Sequence, residues 1–373
     1  MRGTFVPVRG AAHRRRLGGG TRACGILQAY PEALAANGDR DGIYGAAHNR
    51  RILYSKSQHK CKHAFICPAP AAHIYHGVRA CYVPVHDEDA VQKDGKKIIS
   101  DIKMFPKKLK VVRLYFLGEP LLNPCFCEMF LLLCKSNCCE RIEVTTNGSL
   151  LTDEIAKEIL KASTMFNGEI FFRFSIYGVE QEHFSYVTSN NMNVQTIYDN
   201  IAAFYRLRNE GDYANIFLYA KKLRTLNNED KVFISSFKQI VDEVALEEPM
   251  NWSGDGGEDN FLLKKEYTEE TLKKMDKNIV YPKICSYLFT TMAIQSDGTV
   301  VACCVDWSRK TQYGNARESS LQEIWNGTKL RNLRVMHLKG LRNRIDSCKN
   351  CKRMPLDIKD RLDDNNDMII QRL

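Results

Sequence analysis

Residues 111–178 alternate three apolar segments, VVRLYFLG (111–118), RIEVTTNG (141–148) and EIFFRFSIYG (169–178), with NPCFCEMFLLLCKSN (123–137) and TDEIAKEILKAS (152–163). The first three have the length and composition of buried strands, whereas the last two repeat their apolar residues at helical spacing. Strands that alternate with helices form parallel sheets through right-handed crossovers. This stretch therefore predicts an α/β fold, with Asn123 as the cap of its first helix and Thr152 as the cap of its second.

The same alternation continues on both sides of this stretch. A helix is predicted over 95–108, before the first strand, and the later segments predict a helix over 194–211, a strand over 215–223, a helix over 230–244 and a strand over 244–252. About six βα units of this kind predict an incomplete parallel (β/α)6 barrel. In such a barrel the carboxyl ends of the strands carry the chemistry.

Ligand-binding residue types follow the predicted strands. Gly118, Glu119 and Pro120 follow the first strand, Asn147 ends the second, and Ser175 lies near the end of the third. Glycine allows a ligand to approach the backbone, and the polar side chains offer hydrogen bonds to amino, carboxylate or ribose groups. Ordinary turn chemistry explains each position taken alone. Three residues at the end of the last predicted strand are candidate substrate contacts: Glu247, Glu248 and Asn251. The alternative is that they belong to a solvated loop.

Four cysteines near the C-terminus have the spacing of metal ligands. Cys285 precedes the hairpin signal MAIQSDGTVVACC (292–304), Cys303 ends it, and Cys348 and Cys351 form a C-x-x-C pair after the short helix signal SLQEIWNG (320–327). Four thiolates bind zinc or an iron–sulfur cluster. We expect their sulfurs to converge on one centre while Cys304, the next residue of the strand, points to the opposite face.

Five further cysteines belong to or follow one apolar helix, and their spacing fits no ligand set. We therefore predict that these five cysteines are small buried hydrophobic residues. They are Cys125, Cys127, Cys134, Cys138 and Cys139.

Residues 1–82 differ from the rest in composition. They are rich in Arg, Ala, Gly and His, and their net charge of +10 equals that of the whole chain, so the remaining residues are neutral. A neutral body argues against a nucleic-acid surface. The segment is interpreted as a transit peptide, a basic disordered arm or, by preference, a stretch translated out of frame. The predicted organisation is this aberrant segment, a barrel domain over 83–254 and a small cysteine-rich α/β domain over 255–373.

Cysteine content and hydropathy suggest the compartment. Fourteen cysteines without a secretory signal indicate a reducing, cytoplasmic environment. The sequence contains no apolar run of membrane-spanning length, so no membrane partner is expected.

The segments LYFLGEPLLNP, VTTNGSLLT and FSIYG, together with 285–351, resemble the radical S-adenosylmethionine enzymes that carry a SPASM or twitch-type auxiliary-cluster domain. The resemblance covers about residues 86–356. It implies that Gly118, Glu119 and Pro120 line the site of the cofactor's methionine amino group, with Asn147 and Ser175 near its carboxylate and ribose. It also implies one auxiliary 4Fe–4S cluster, fully ligated by four thiolates: Cys285, Cys303, Cys348 and Cys351.

The resemblance further implies radical hydrogen abstraction from a small molecule or a peptide, with flavodoxin or ferredoxin as electron donor. In this family a first 4Fe–4S cluster is bound by C-x3-C-x2-C just before the position of His86. The sequence has instead Cys61-x5-Cys67 and then Cys81. This departure supports the frame-shift interpretation and predicts an inactive protein as written. The alternatives are a non-catalytic metal-binding interaction protein and a structural zinc site.

Overall fold

A computed structural model describes residues 88–116, 118–188, 190–225, 227–247, 282–306, 309–349, 351, 362–363 and 366–373. Five parallel strands form one sheet in the order of the chain. They are β1 (Leu109–Leu114), β2 (Cys139–Thr146), β3 (Glu169–Ile176), β4 (Ile216–Leu223) and β5 (Glu243–Glu247). The predicted α/β class is confirmed, and the described residues contain five of the roughly six expected strands.

Helices connect and flank these strands. They are α1 (Glu88–Lys103), α2 (Phe126–Ser136), α3 (Asp153–Ser163), α4 (Gln181–Thr188), α5 (Val194–Glu210) and α6 (Asn228–Phe237). Thr152 caps α3 as predicted, because its side chain accepts a hydrogen bond from the backbone N–H of Ile155. The cap predicted for α2 is wrong. Asn123 instead follows a short 3₁₀ helix (Pro120–Leu122), and its side chain accepts a hydrogen bond from the N–H of Cys125, which delays the helix to Phe126.

The two faces of the sheet have opposite chemistry because successive strand residues point to opposite sides. From Val112 onward the even-numbered strand residues are mainly apolar, and they pack with the flanking helices in one core that includes Phe130, Phe172 and Phe204. The odd-numbered residues point away from those helices. We call their side the inner face. Among the described residues, the helices that pack on this sheet lie on one face, which is typical of a barrel wall rather than a doubly wound sheet.

The C-terminal domain is built on a small antiparallel sheet, β6 (Ala293–Ile294), β7 (Thr299–Val301) and β8 (Gln312–Asn315). The predicted hairpin turn is present, with Gly298 at a φ of +84° and the Asp297 side chain accepting from the N–H of Thr299. The helices are α7 (Tyr287–Thr290), α8 (Leu321–Asn326), α9 (Thr328–Leu338) and α10 (Asn366–Arg372), with a 3₁₀ turn at Arg342–Arg344. Ser320 caps α8 in a capping box.

Polar contacts join this domain to α1. Arg317 pairs with Asp94 at 3.2 Å, Lys97 donates to the carbonyl oxygen of Ser319, and Asp101 accepts from the N–H of Leu321. These contacts hold the small domain beside the amino-terminal edge of the described sheet.

In the described parts of the chain, no helix is both long and apolar enough to cross a bilayer. The predicted boundaries at residues 82 and 254 fall outside the described residues, as do Cys61, Cys67 and Cys81. The division into three segments therefore stays a prediction.

Candidate functional site

The inner face of the sheet is polar and largely buried. Its central group is one carboxylate, Glu143 on β2, surrounded by guanidinium groups from three positions. Arg113 lies 2.9 Å, Arg141 2.8 Å and Arg173 3.6 Å from its oxygens. Burial alone would raise the pKa of Glu143, but these three positive charges lower it. The carboxylate is therefore ionised, and the group as a whole carries an excess of positive charge.

Nearer the carboxyl ends of the strands, hydroxyl and ammonium groups replace the guanidinium groups. Thr145 faces Arg173 in register, and Ser175 faces Lys221. Thr145 and Ser175 are both more than nine-tenths buried. Within the part of the chain that the structure describes, neither hydroxyl has a hydrogen-bond partner. Two buried hydroxyls on adjacent strands are thus available to a ligand on the inner face.

Glu119 lies at the end of β1, with its neighbour Gly118 at a φ of +94°. Its carboxylate accepts from the hydroxyl of Thr146 at 2.5 Å, from the N–H of Asn147 at 2.7 Å and from the N–H of Leu121 at 3.1 Å. Burial raises the pKa of Glu119 to about 7, against the lowering effect of these hydrogen bonds. Glu119 therefore joins the carboxyl ends of β1 and β2, where Asn147 also lies.

The loop after β3 is fixed by a second buried carboxylate, Glu229 of α6. It accepts from the N–H of Val179 at 2.7 Å and lies 2.5 Å from Nδ1 of His183 and 3.3 Å from the ammonium of Lys222. Burial alone would raise the pKa of Glu229, but these hydrogen bonds and the charge of Lys222 lower it to about 2. The chain beyond Ser175 is consequently held in one position.

The four predicted ligand cysteines of the C-terminal domain, Cys285, Cys303, Cys348 and Cys351, lie within electrostatic range of one another. Burial, reinforced by the charges of the other thiolates, raises the pKa of Cys285 to about 12, that of Cys348 to about 11, and that of Cys303 well above its ordinary value. The charge of Cys351 contributes to all three shifts. Buried thiols that destabilise one another's anions suit a bound cation, because a metal ion reverses the sign of that interaction.

Backbone donors already point at two of these sulfurs. The N–H of Val305 donates to the sulfur of Cys303 at 3.4 Å, and the N–H of Tyr287 donates to the sulfur of Cys285. In both cases the donor lies two residues after the cysteine. Hydrogen bonds to thiolate sulfurs are among the interactions that tune iron–sulfur sites. The donor set and its surroundings therefore fit an iron–sulfur cluster.

The C-x-x-C pair is held by Arg342, whose guanidinium donates to the carbonyl oxygens of Cys348 and Cys351. Cys304, the neighbour of Cys303, lies within electrostatic range of Arg113 on β1. Among the described residues, no three Cys, His, Asp or Glu side chains are close enough together to form a closed metal site as placed. The assignment of the four ligands therefore stays a prediction.

Other predicted residues are accounted for as follows. Glu247 pairs with the buried ammonium of Lys221 at 3.1 Å, whereas Glu248 and Asn251 lie outside the described residues. Of the five cysteines predicted to be buried, Cys134, Cys138 and Cys139 are buried, whereas Cys125 and Cys127 are only half-buried. Sequence reasoning missed the charged inner face. Its signal was present as charged residues at every second position of otherwise apolar strands, at Arg113, Arg141, Glu143, Arg173 and Lys221.

Comparison with known proteins agrees with this geometry. Residues 285–352 match the SPASM family, described as an iron–sulfur cluster-binding domain. A stretch of 66 residues is 32% identical to the S-adenosyl-L-methionine-dependent 2-deoxy-scyllo-inosamine dehydrogenase of Niallia circulans. That stretch is 18% of this chain and spans only 26% of the dehydrogenase's own length.

Solved structures share the fold. Native anSMEcpe with bound AdoMet aligns over 84% of this chain and 94% of its own, at 12% identity and a TM-score of 0.51. The same protein with AdoMet and the Cp18Cys peptide aligns over the same shares, at 12% identity and a TM-score of 0.50. The chain thus shares the fold of these AdoMet-bound structures, and its residues 285–352 match the SPASM iron–sulfur cluster-binding domain.

Proposed function

We propose that this protein belongs functionally to the iron–sulfur oxidoreductases that use S-adenosylmethionine, with one auxiliary 4Fe–4S cluster on Cys285, Cys303, Cys348 and Cys351. The observation that carries the proposal is the group of four buried or half-buried cysteines, with backbone N–H donors at Cys285 and Cys303. Four thiolates leave no iron open to substrate, so the cluster is suited to electron transfer.

S-adenosylmethionine is placed at the carboxyl ends of β1 to β3. Gly118, Glu119 and Pro120 line the side of its amino group, Asn147 faces its carboxylate, and Ser175 faces its ribose. Support comes from the positive φ of Gly118, which opens the backbone, and from the unpartnered buried hydroxyl of Ser175. With a first cluster of the kind that this family carries, the bound cofactor would supply a 5′-deoxyadenosyl radical for hydrogen abstraction, and the auxiliary cluster would supply an acceptor for one electron.

The substrate is placed on the inner face, below the cofactor. Thr145, Arg173 and Lys221 offer hydrogen bonds and positive charge there, and Glu247 neutralises Lys221. Such a surface suits a polar small molecule or a peptide backbone, and oxidation of an alcohol and modification of a peptide both fit it. Flavodoxin or ferredoxin is the proposed electron donor, in the cytoplasm.

A second candidate is a non-catalytic metal-binding interaction protein. The observation that favours it lies in the sequence, where Cys61, Cys67 and Cys81 do not have the C-x3-C-x2-C spacing. Without that motif, Glu119, Asn147 and Ser175 still offer hydrogen bonds to S-adenosylmethionine, but chelation to iron is lost.

The experiment is anaerobic reconstitution of the full chain with iron and sulfide, followed by iron analysis, an absorption spectrum and an assay for 5′-deoxyadenosine. Several irons with a broad brown absorption support the cluster, whereas a colourless protein with one zinc overturns it. We expect no 5′-deoxyadenosine from the sequence as given. A version with the upstream frame restored, placing C-x3-C-x2-C before His86, is expected to produce it. Steady production by the unaltered sequence would show that Cys61, Cys67 and Cys81 hold a cluster after all.

A further inference from the structure

The thiol group of the C-terminal domain packs directly against the end of β1. Tyr115 and Phe116, which follow β1, form a small apolar cluster with Ala293, Val301 and Val305. Cys303, Cys304 and Cys351 pack against that cluster. The ring of Tyr115 therefore belongs to the side-chain cluster on which Cys303 and Cys351 pack.

Behind that ring lies the charged group of the inner face. The Tyr115 hydroxyl accepts from Arg173 at 3.2 Å and lies 3.5 Å from Glu143. Arg113, two residues before Tyr115 on the same face, donates from Nε to Glu143 at 2.9 Å. Three guanidinium groups around one carboxylate leave a surplus of two positive charges, and the exposed fractions of Arg173 and Glu143 are only 5% and 2%.

Arg113 is also electrostatically linked to the thiol side. Burial lowers its pKa, but the charges of Tyr115, Glu143 and Cys304 raise the pKa above the ordinary value. This agrees with the packing, in which Cys304 and Tyr115 belong to the same cluster of side chains.

Charges in such a position act on a redox centre. Reduction adds a negative charge to an iron–sulfur cluster, and buried charges interact over several ångströms because water screens them poorly. Net charge near a cluster is one of the factors that set its reduction potential. A nearby guanidinium stabilises the reduced state, and a nearby carboxylate destabilises it.

We propose that Arg113 and Glu143 are positioning residues that set the reduction potential of the auxiliary cluster from the inner face, Arg113 raising it and Glu143 lowering it. The inference rests on the proposed function, because it needs a cluster at the four thiols. It adds that the charged inner face of the sheet and the auxiliary cluster interact electrostatically across Tyr115. A charged substrate bound on the inner face shifts the reduction potential of the auxiliary cluster in the same way.

The register of the strands identifies a second arginine that lies farther from the thiols than Arg113 and serves as a comparison. Arg113 faces Glu143, whereas Arg141 faces Val111, one step nearer the amino ends of the strands. Arg141 thus shares the same carboxylate but lies farther from Tyr115 and the thiols. Arg206 on α5 is an exposed arginine that pairs only weakly with Glu210 at 3.9 Å, and it serves as the distant control.

The experiment is a potentiometric titration of the reconstituted full chain, followed by electron paramagnetic resonance. We expect Arg113→Gln to lower the midpoint potential, Glu143→Gln to raise it, and Arg141→Gln to lower it less than Arg113→Gln. Arg113→Lys, which keeps the charge, is expected to stay near the unaltered protein, and Arg206→Gln to leave the potential unchanged. Iron content and thermal unfolding are measured on every variant.

Equal potentials in the unaltered protein, Arg113→Gln and Glu143→Gln, all with loaded clusters, overturn the inference and leave the proposed function standing. Shifts of the same sign for Arg113→Gln and Glu143→Gln also overturn it, because they indicate a change of packing rather than of charge. If Arg113→Gln fails to fold, Glu143→Gln and Arg113→Lys still decide. If the unaltered protein assembles no iron and sulfide, the proposed function itself fails, and the inference fails with it.

Discussion

The carboxylate of Glu119 accepts a hydrogen bond of 2.5 Å from the hydroxyl of Thr146, so that the carboxyl ends of β1 and β2 are tied together by their own side chains. The same carboxylate accepts from the N–H groups of Leu121 and Asn147. A buried carboxylate with three hydrogen bonds and a raised pKa is therefore part of the fold itself. Its titration has a measurable consequence.

The first prediction concerns pH. The pKa of Glu119 is about 7 in the folded chain against an ordinary value of 4.5, so the folded state binds more protons between these limits. Its contribution to stability is complete below about pH 4.5 and declines as the pH rises toward 7. Glu119→Gln does not titrate and loses this decline. Urea unfolding of both proteins at about pH 5 and about pH 8 tests the prediction. Parallel pH profiles would show that Glu119 titrates normally.

A second prediction concerns Arg208 on α5. Its guanidinium pairs with Asp242 and donates to the carbonyl oxygen of Ile216 at 3.1 Å, while Asp242 accepts from the N–H of Leu218. Arg208→Gln is expected to lower the free energy of unfolding by about 2–3 kcal/mol, because it removes the ion pair of a buried guanidinium with Asp242 and its hydrogen bond to Ile216. Arg206→Gln, on the same helix but exposed, is expected to cost less than about 0.5 kcal/mol. Equal losses for the two variants would contradict the assignment.

The third prediction concerns the thiol ligands. Cys303→Ala and Cys348→Ala are each expected to abolish retention of iron and to unfold the C-terminal domain, because cluster binding and folding are coupled there. Cys304→Ala is expected to retain the iron, since Cys304 lies toward Arg113. Iron per chain and the visible absorption spectrum after reconstitution are the measurements. A variant pair in which Cys304→Ala loses iron and Cys303→Ala keeps it would refute the ligand set.

A fourth prediction concerns the residue that holds the C-x-x-C pair. Arg342 donates to the carbonyl oxygens of both Cys348 and Cys351, so Arg342→Gln is expected to loosen the two sulfurs and speed the loss of iron to a chelator. Arg344, an exposed residue in the same 3₁₀ turn, gives the matched control, and Arg344→Gln is expected to lose iron at the unaltered rate. Equal rates in the two variants would mean that Arg342 has no part in holding the pair.

Much of the fold was predictable from the sequence because buried strands and amphipathic helices have distinct periods. The strand predicted over 169–178 is observed at Glu169–Ile176, and the helix predicted over 194–211 at Val194–Glu210. Errors occurred where local hydrogen bonds compete with the helix. Asn123 accepts a hydrogen bond from the N–H of Cys125 and so delays α2. The helix predicted over 230–244 is observed at Asn228–Phe237, and β5 begins at Glu243. Helix α4 was missed.

The candidate site was only partly predictable. Glu119, Asn147 and Ser175 were predicted because they stand where strands end, a position visible in the sequence, and their contact with a cofactor stays a prediction. The group around Glu143 was not found, because its three arginines come from strands that are adjacent only once the register is set. Tyr115 shares one side-chain cluster with Cys303 and Cys351, which lie 188 and 236 positions further along the chain, and no local pattern reveals such a proximity.

The segregation of the two faces of the sheet has a consequence for how this protein can diverge. Residues such as Phe172 and Leu218 carry the free energy of packing, while their immediate neighbours Arg173 and Tyr219 carry the polar chemistry. A substitution at an inner-face position can therefore alter what is recognised without removing apolar burial behind the sheet. Because buried charge pairs such as Glu143 with Arg173 lie on this face, a change to one partner has to be matched by a change to the other.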